Sequence, residues 1–349
     1  MVSEERTYGL TPDGKEIKLF TITNESGAKV TLCNIGAGIV SIIVPDKNGK
    51  MDDVVLGYKD PISYINDGPC MGKIPGRYAN RIAGGRFNLN GKQYSLSINN
   101  GPNHLHGGPG AECYANRVWY GIRNVNEISF ALESGDGDAG YPGNIMVEAL
   151  YSWSEDNVLT LKIRAESDVS TVVNLTNHTY FNLKGEDKGD ITDHTLKLYA
   201  SKYLPTDDTL IPSGELDSVI GTPMDFTEGE VIGKHLKCDF PALNYGKGYD
   251  NCWAVDQWEI GVVKRVAELS EPTSGRKLTV RTNMPGIQVY TGNWLSGCPE
   301  SKSGKAYKDY DGIALECQAF PDSPNKPHFP FKPLNPNELY ENIIVFDFE

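Results

Sequence analysis

The sequence predicts an all-β protein, a large antiparallel β-sandwich with few short helices. Three observations support this fold class. Short runs rich in β-branched residues are separated by breakers along the whole chain, which contains 37 Gly and 21 Pro. Two dipeptides, Asn48-Gly49 and Asn90-Gly91, are typical of type I′ hairpin turns. Long amphipathic helical patterns are almost absent.

Local patterns predict the elements in chain order. Residues 29–45 are rich in β-branched side chains and end at a proline, so they indicate strand structure. The Asn90-Gly91 pair lies between two strand-like runs and predicts a tight hairpin. Alternating or apolar runs predict further strands at Ile128–Glu133, Ile145–Trp153, Val158–Glu166, Thr171–Leu183, Lys277–Thr282, Ile287–Asn293, Ile313–Phe320 and Asn342–Phe348, the last as a closing strand.

Helix and loop predictions are few. The segment near Val231–Lys237 could form a turn or two of helix. The Pro-rich stretch Phe320–Pro336 ends the core and predicts an ordered surface loop. The chain of 349 residues is 39% apolar and 10% aromatic, which is ample for a sizeable core. Because no low-complexity linker and no internal repeat interrupts it, we expect a single domain over residues 1–349.

Charge and hydropathy exclude several classes of partner. The formal net charge is −13, from 33 basic and 46 acidic residues. An acidic surface disfavours nucleic acid and anionic membranes, whereas a neutral small molecule is little affected. No stretch approaches the roughly 18 consecutive apolar residues of a membrane span. We therefore expect a small-molecule ligand and no nucleic-acid or membrane partner.

The cysteines bear on the cellular compartment. There are seven of them, an odd number without CxxC spacing. This pattern favours reduced thiols in a cytoplasmic protein over a disulfide framework or a structural zinc site. The amino terminus lacks the basic and apolar pattern of a signal peptide. Secretion after removal of a signal remains the alternative.

Alternation along residues 171–183 predicts a polar face. If this segment is a strand, Asn174, Thr176, His178 and Tyr180 share one side, because successive side chains point in opposite directions. Such a row is ordinary on a solvent-exposed face. Near the end of a strand in a concave sheet, it would line a pocket.

Glu316 is a lone carboxylate in an otherwise apolar strand pattern. Alternation places Leu315 and Cys317 on one face, and Glu316 and Gln318 on the other. Desolvation would raise the pKa of such a carboxyl group and suit it to act as a general base near neutral pH. The alternative is a paired core glutamate or a solvent-facing one.

Two further clusters carry polar side chains of interest. His104 and His106 lie two residues apart and could belong to a metal site, but no third ligand accompanies them at a suitable spacing. Arg77 and Arg81 flank Asn80, and guanidinium groups can bind hydroxyls or carboxylates through several donors. Surface salt bridges are the alternative for these arginines.

Several segments together resemble the aldose 1-epimerase (galactose mutarotase) family. Those segments are GRYANRIAGGRF, PNHLHGG, GDAGYPGN, NLTNHTYFNL, the pair Tyr249-Asp250, PGIQVYTGNW and ALECQAFPDSPN. They occur in the family's order from about residue 72 to residue 326, and the flanking regions fit in length. Each motif is weak by itself, whereas seven in order are highly specific.

The resemblance implies a fold, an activity and a set of site residues. The fold is the galactose mutarotase-like supersandwich with an open sugar cleft. The activity is that of a cofactor-independent isomerase, which interconverts the α and β anomers of free aldoses such as glucose and galactose. The resemblance implies Glu316 as general base, His178 as general acid, and no metal. It implies sugar binding by Asn80, Arg81, His106, Asp250 and Gln288.

The chemistry of anomer exchange agrees with this assignment. The C1 hydroxyl must lose a proton while the ring oxygen gains one, and a carboxylate with an imidazolium can do both. We expect these two groups on opposite sides of the anomeric centre, about a pyranose apart. Histidine suits the acid role because its ordinary pKa is near neutrality. We expect the charge of Asp250 to help keep His178 protonated.

Three alternatives to this function differ in what they require. A glycoside hydrolase needs two carboxylates, and only Asp250 is an obvious partner for Glu316. A non-catalytic carbohydrate-binding β-sandwich needs the polar cleft but not the Glu/His pair. A sugar-phosphate 1-epimerase would add basic residues beyond Arg77 and Arg81. For the aldose 1-epimerase reading we expect a monomer or weak dimer that acts on a free aldose.

Overall fold

The computed structural model describes residues 1–65 and 67–349 and consists mainly of β-strands. The strands are β1 (Val2–Leu10), β2 (Glu16–Thr23), β3 (Lys29–Cys33), β4 (Gly38–Pro45), β5 (Met51–Asp53), β6 (Arg81–Ile82), β7 (Arg86–Leu89), β8 (Lys92–Ser95), β9 (His104–Leu105), β10 (Tyr120–Arg123), β11 (Glu127–Ser134), β12 (Ile145–Trp153), β13 (Val158–Ser167), β14 (Tyr180–Phe181), β15 (Thr195–Leu198), β16 (Lys202–Tyr203), β17 (Asp217–Ser218), β18 (Glu230–Val231), β19 (Asp250–Ala254), β20 (Lys264–Ser270), β21 (Lys277–Thr282), β22 (Gly286–Tyr290), β23 (Ile313–Gln318) and β24 (Tyr340–Phe348).

Helical structure is limited to short pieces. In the described part of the chain the α-helix is α1 (Pro241–Gly246), which begins with a proline at its first position, where the missing N–H costs nothing. The 3₁₀ turns are Pro61–Tyr64, Ala83–Gly85, Gly110–Glu112, Tyr114–Asn116, Asp138–Gly140, Ile232–Lys234 and Ser323–Asn325. None of the helices described has the length and hydropathy needed to cross a membrane.

Three antiparallel sheets form the body of the protein. A five-stranded sheet has the order β1-β2-β3-β4-β5, and a nine-stranded sheet has the order β10-β11-β12-β13-β24-β21-β20-β15-β18. A six-stranded sheet has the order β14-β23-β22-β19-β16-β17. Two short pairs, β6-β9 and β7-β8, complete the strand pairing. The predicted all-β class with an antiparallel sandwich is confirmed.

The main core draws on all three sheets. Phe20 of the five-stranded sheet packs edge-on against Phe130 of the nine-stranded sheet, with ring centroids 5.3 Å apart. In the six-stranded sheet, Leu315 and Cys317 of β23 belong to the same core. Because neighbouring strand residues point in opposite directions, Glu316 between them points away from this core. One face of the six-stranded sheet is therefore free to form a site.

The two hairpin predictions had different outcomes in detail. Asn90 and Gly91 both have positive φ angles, 51° and 78°, as a type I′ turn requires, and they join β7 to β8. At Asn48-Gly49 the strands β4 and β5 do form a hairpin, but only Gly49 has a positive φ. This loop is longer, since Asp46 N–H donates to the carbonyl oxygen of Lys50.

The prediction of one continuous strand over Thr171–Leu183 is wrong. Only β14 (Tyr180–Phe181) at its end pairs as a strand. The preceding backbone bonds to separate parts of the fold, with Asn174 N–H donating to Arg77 O and His178 N–H to Lys73 O. Every residue from 171 to 183 is buried. The expected polar and apolar faces do not exist, because the segment packs against different parts of the fold along its length, with two of its side chains, His178 and Tyr180, also bordering a cavity.

Two other strand predictions are confirmed, and the structure adds detail to each. Residues 29–45 form two strands, β3 and β4, because Gly36 and Ala37 adopt positive φ angles of 62° and 48° and reverse the chain. The predicted closing strand is β24, which lies inside the nine-stranded sheet between β13 and β21.

Of the loop and helix predictions, the turn near Val231–Lys237 is present as the 3₁₀ turn Ile232–Lys234. The stretch Phe320–Pro336 is a loop, but it is only partly on the surface. Asp322 is buried and accepts the backbone N–H of Ala83.

Candidate active site

A polar cleft lies over the face of the six-stranded sheet that carries Glu316. Its volume is about 600 Å³. Side chains from β14, β19, β22 and β23 form its floor, and loops form its walls. The lining residues are Gly68, Pro69, Asn80, Arg81, Asn100, Gly101, Pro102, Leu105, His106, His178, Tyr180, Asp208, Thr209, Leu210, Tyr245, Asp250, Tyr290, Trp294 and Glu316.

Glu316 lies at the centre of this floor. It is paired with Gln288 of the neighbouring strand β22 and is only 2% exposed. Burial raises the pKa of its carboxyl group well above the ordinary value, and the charge of Asp250 raises it further. Arg81 opposes both effects. The Oε2 atom of Glu316 has no hydrogen-bond partner among the described protein atoms.

His178 lies directly beside Glu316. The distance from His178 Nε2 to Glu316 Oε1 is 3.5 Å. The two groups are therefore neighbours on the floor of the cleft, and the expectation that they stand a pyranose apart is wrong. This arrangement suits anomer chemistry equally well, because the hydroxyl oxygen and the ring oxygen of a pyranose are bonded to the same carbon.

Aromatic rings surround the His178 imidazole. The ring centroids of His106, Tyr180 and Tyr290 lie 5.3, 5.0 and 6.2 Å from its own. Burial lowers the pKa of His178 to about 4. The two shifts together favour a proton on the Glu316 carboxyl group and a neutral His178. The expectation that Asp250 keeps His178 protonated is not met, because its charge acts on Glu316.

His106 is held in a single tautomer by the backbone. The N–H of Asn80 donates to His106 Nδ1 at 3.1 Å, and the N–H of His106 donates to the carbonyl oxygen of Asn80. Burial lowers the pKa of His106 well below its ordinary value, so the ring is neutral. Since Nδ1 is the acceptor, Nε2 carries the hydrogen and is available as a donor.

The position after His106 accepts only glycine, which is Gly107. Its φ is 89°, and an added Cβ would lie 1.8 Å from the carbonyl oxygen of Gly76. Another segment therefore packs against the chain at this point, which allows His106 to approach residues 76–80 closely.

A charged network lies near Glu316 in the cleft. Arg81 Nη2 lies 3.7 Å from Asp250 Oδ2, and Arg81 Nε donates to Asn100 Oδ1 at 3.0 Å. Gln288 Nε2 donates to Asp250 Oδ1 at 2.7 Å. These contacts hold the Asp250 carboxylate, an acceptor, beside the Arg81 guanidinium, a donor. Such a pair suits two vicinal hydroxyl groups, one of which donates a hydrogen bond while the other accepts one.

Comparison with known proteins agrees with this geometry. A sequence profile of the family described as aldose 1-epimerase matches residues 18–347. The galactose mutarotase of Bos taurus is 40% identical over 351 residues, covering 100% of this chain and 99% of that protein. The chain belongs to the aldose 1-epimerase family.

Bacterial and structural comparisons lead to the same family. The aldose 1-epimerase of Escherichia coli K12 is 37% identical over 345 residues, covering 98% of each chain. A crystal structure of an aldose epimerase homologue from C. elegans superposes with a TM-score of 0.86 at 31% identity. That match covers 94% of this chain and 98% of the other. The supersandwich that the resemblance implies is thus confirmed.

The structure brings together six of the seven residues assigned from the aldose 1-epimerase resemblance. The residues that line the cleft are Asn80, Arg81, His106, His178, Asp250 and Glu316. Gln288 does not line the cleft; it lies behind Asp250, to which it donates, and is 2% exposed. Its assignment to direct sugar binding is the one that the geometry does not favour.

Arg77 and His104 have structural surroundings. The Arg77 guanidinium is buried and donates to Tyr114 Oη, Thr171 Oγ1 and Ser134 Oγ, among others. The two ring nitrogens of His104 bond to the Ser97 carbonyl and the Tyr141 hydroxyl at 2.6 and 2.7 Å. Within residues 1–65 and 67–349, no group of three or more His, Cys, Asp or Glu is arranged to hold a metal ion.

Sequence reasoning missed several lining residues of this aldose 1-epimerase cleft. Asn100, Asp208, Thr209, Leu210 and Tyr245 come from loops and from α1. The Asn100-Gly101-Pro102 run signals a turn, but nothing in it indicates that the turn borders a cleft. Which loops converge above a sheet is decided by tertiary structure.

Proposed function

We propose that this protein interconverts the α and β anomers of free hexoses, such as glucose and galactose, as a cofactor-independent isomerase. The observation that carries the proposal is the buried Glu316–His178 pair, 3.5 Å apart on the floor of a polar cleft. Burial disfavours charge on both groups, so it favours the state in which the pair holds one proton and carries no net charge. One proton shared by two adjacent groups is what anomer exchange requires.

The reactive form has Glu316 ionised and His178 protonated, reached by transfer of that proton across the 3.5 Å contact. Glu316 accepts the proton of the C1 hydroxyl, the O1 electrons form the aldehyde, and the C1–O5 bond breaks. His178 donates its proton to the ring oxygen as that bond breaks. After rotation about C1–C2, O5 attacks the other face of the aldehyde and both protons return.

The remaining residues orient the sugar. His106 donates through Nε2 beside the catalytic pair, with which its ring is in edge contact. Arg81 and Asn80 supply donors, and Asp250 supplies an acceptor that Gln288 holds in place. Tyr290 and the exposed Trp294 offer flat apolar surfaces to the C–H faces of a pyranose.

A direct assay tests the proposal. Freshly dissolved α-D-galactose or α-D-glucose is followed by polarimetry, and proton NMR measures the exchange between anomers at equilibrium. We expect the rate constant of the approach to equilibrium to exceed the buffer value by an amount proportional to the protein concentration. An unchanged rate at micromolar protein would exclude epimerase activity on the sugar tested.

We also infer a cytoplasmic location and a monomer or weak dimer acting on a small aldose. All seven cysteines are free in the fold, which supports a reducing compartment. The net charge of −13 opposes tight self-association.

A further inference from the structure

Gln318 is a buried amide without a protein partner, close to the catalytic pair. It is 0% exposed, and neither its Nε2 nor its Oε1 has a hydrogen-bond partner among the described protein atoms. An unpaired buried amide is strongly destabilising, because it has lost water and gained nothing in return. Such a group usually has a partner that is not a protein atom.

Its place in the sheet identifies two further unpaired atoms. Gln318 is two residues beyond Glu316 on β23, so both side chains project from the same face, about 6.7 Å apart along the strand. Gln288 is directly opposite Glu316 on β22 and shares that face. Glu316 Oε2 and Gln288 Oε1 also lack partners among the described protein atoms.

The neighbouring side chains cannot satisfy the Gln318 amide. Its cross-strand partner is Gly286, which has no side chain. The space above Gly286 is occupied by apolar groups, since an added Cβ would lie 2.8 Å from Cys252 Sγ and 2.9 Å from the Phe320 ring. The amide is thus enclosed on that side, and its polar neighbours on this face are Glu316 and Gln288.

We propose that Gln318 is a positioning residue, which orients the Glu316 carboxyl group through one ordered water bound by Gln318, Gln288 and Glu316. A buried water typically makes about three hydrogen bonds, and three unpaired groups are available here. Two hydrogen bonds through one water span about 5.5 Å, a separation compatible with this strand spacing. The effect on catalysis rests on the proposed epimerase function.

The consequence for the reaction concerns where the shared proton resides. A water that donates to Glu316 Oε2 stabilises the carboxylate relative to the acid. It thereby favours the reactive form, in which the proton is on His178. Replacement of Gln318 by an apolar side chain would remove this support and leave more of the proton on Glu316.

The test uses Gln318→Met in the full chain, a change that keeps the side-chain length and removes the polar atoms. We expect kcat for galactose to fall about tenfold or more while KM stays within about twofold. We expect the alkaline limb of kcat against pH to move upward, because the carboxyl group loses a donor. We also expect the melting temperature to fall by about 2 °C, since the hydrogen bonds of the bound water are lost.

Asn251→Leu is the matched control. Asn251 is also buried with both amide atoms unpaired among the described protein atoms, but alternation along β19 places it on the core face, opposite Asp250. We expect this variant to keep the kcat and the pH profile of the wild type, because Asn251 faces away from the cleft. A Gln318→Met enzyme with the kcat and pH profile of the wild type would overturn the inference and leave the epimerase function intact.

A crystal structure of the unaltered protein at about 1.5 Å resolution tests the water independently of any variant. Density for a water within hydrogen-bonding distance of Gln318 and Glu316 Oε2 is the expected result. Its absence would overturn the inference even if Gln318→Met does not fold. An unaltered protein without epimerase activity would instead contradict the proposed function, and the density would still decide whether the water exists.

Discussion

At the scale of single residues, the proposed chemistry depends on how two buried groups divide one proton. Burial raises the pKa of Glu316 and lowers the pKa of His178, so each group resists its charged form. Their contact allows the proton to pass between them without any change in net charge. A carboxyl group and an imidazole in contact can exchange the roles of acid and base in successive half-reactions.

The pH profile of kcat/KM follows from the directions of these shifts. Below about pH 4, His178 takes up a second proton and the pair has no base left. Above the raised pKa of Glu316, the last proton leaves and the pair has no acid. We therefore expect a broad plateau across neutrality, measured by polarimetry with the buffer rate subtracted at each pH. An acid limb centred near 6.5, the ordinary pKa of histidine, would show that His178 is not desolvated.

Substitution of the carboxyl group separates binding from chemistry. Glu316→Gln keeps the shape and one acceptor but cannot take a proton from the sugar, so we expect kcat to fall by about 10²–10⁴-fold. We expect galactose affinity, measured by isothermal titration calorimetry, to change little. His178→Asn provides a comparison, since loss of either partner should produce a similar fall. Retention of most activity in Glu316→Gln would show that another group is the base.

At the scale of secondary-structure elements, residues 171–179 position His178 without forming a regular strand. Side chains from distant elements take the place of a strand ladder. Asn342 Nδ2 in β24 donates to the carbonyl oxygens of Leu175 and Cys317, both at 2.8 Å. One buried amide thus links the central strand of the large sheet to the segment that carries His178 and to the strand that carries Glu316.

Asn342→Leu should therefore be strongly destabilising. The change removes a donor from two buried carbonyl groups, of which that of Leu175 keeps the Tyr340 hydroxyl at 3.2 Å. We expect a loss of about 2 kcal/mol in the free energy of unfolding, from urea titration. Glu341→Gln is the control, because Glu341 makes a partly exposed ion pair with Arg164 and its loss should cost about 0.5 kcal/mol or less. Equal destabilisation by the two variants would contradict this role of Asn342.

The elements that sequence could predict are those whose pattern is local. Both bounds of Ile145–Trp153 and Lys277–Thr282 match the strands observed, because alternating burial leaves a period of two in the sequence. The hairpin at Asn90-Gly91 was equally accessible, since its turn geometry selects those residue types. The segment 171–179 left no such signal, because all of its residues are buried and its hydrogen bonds go to remote partners.

The site, like the fold, has parts that the sequence could predict and parts that it could not. The positions of Glu316 and His178 were predicted through a family resemblance, and the alternation of β23 explains why Glu316 points away from the core. Their contact at 3.5 Å could not be predicted, because it depends on how an irregular segment packs against a strand. Asp208 and Tyr245 could not be predicted either, since no local pattern tells which loops meet above a sheet.

At the scale of the whole molecule, one main core and one strongly acidic surface surround the cleft. The main core includes Phe20 near the amino terminus and Phe348 near the carboxyl terminus. This continuity supports our proposal of a single domain over residues 1–349. The surface carries a net charge of −13, and the cleft itself is lined by three acidic side chains against one arginine. A neutral hexose is largely indifferent to this field, whereas a phosphorylated one is repelled.

Salt dependence therefore distinguishes a free-sugar epimerase from a sugar-phosphate epimerase. We expect kcat/KM for galactose to change by less than about twofold between low salt and 0.5 M NaCl, since neither binding nor approach involves a net charge on the sugar. We expect galactose 6-phosphate to be a substrate at least about tenfold poorer at low salt and to improve as salt screens the repulsion. Arg81, the one arginine in the cleft, is already engaged by Asp250 and Asn100 and offers the phosphate little compensation. A preference for the phosphorylated sugar at low salt that weakens as salt is added would contradict this expectation. It would mean that basic residues attract the phosphate more strongly than the acidic cleft repels it, and it would favour a sugar-phosphate 1-epimerase.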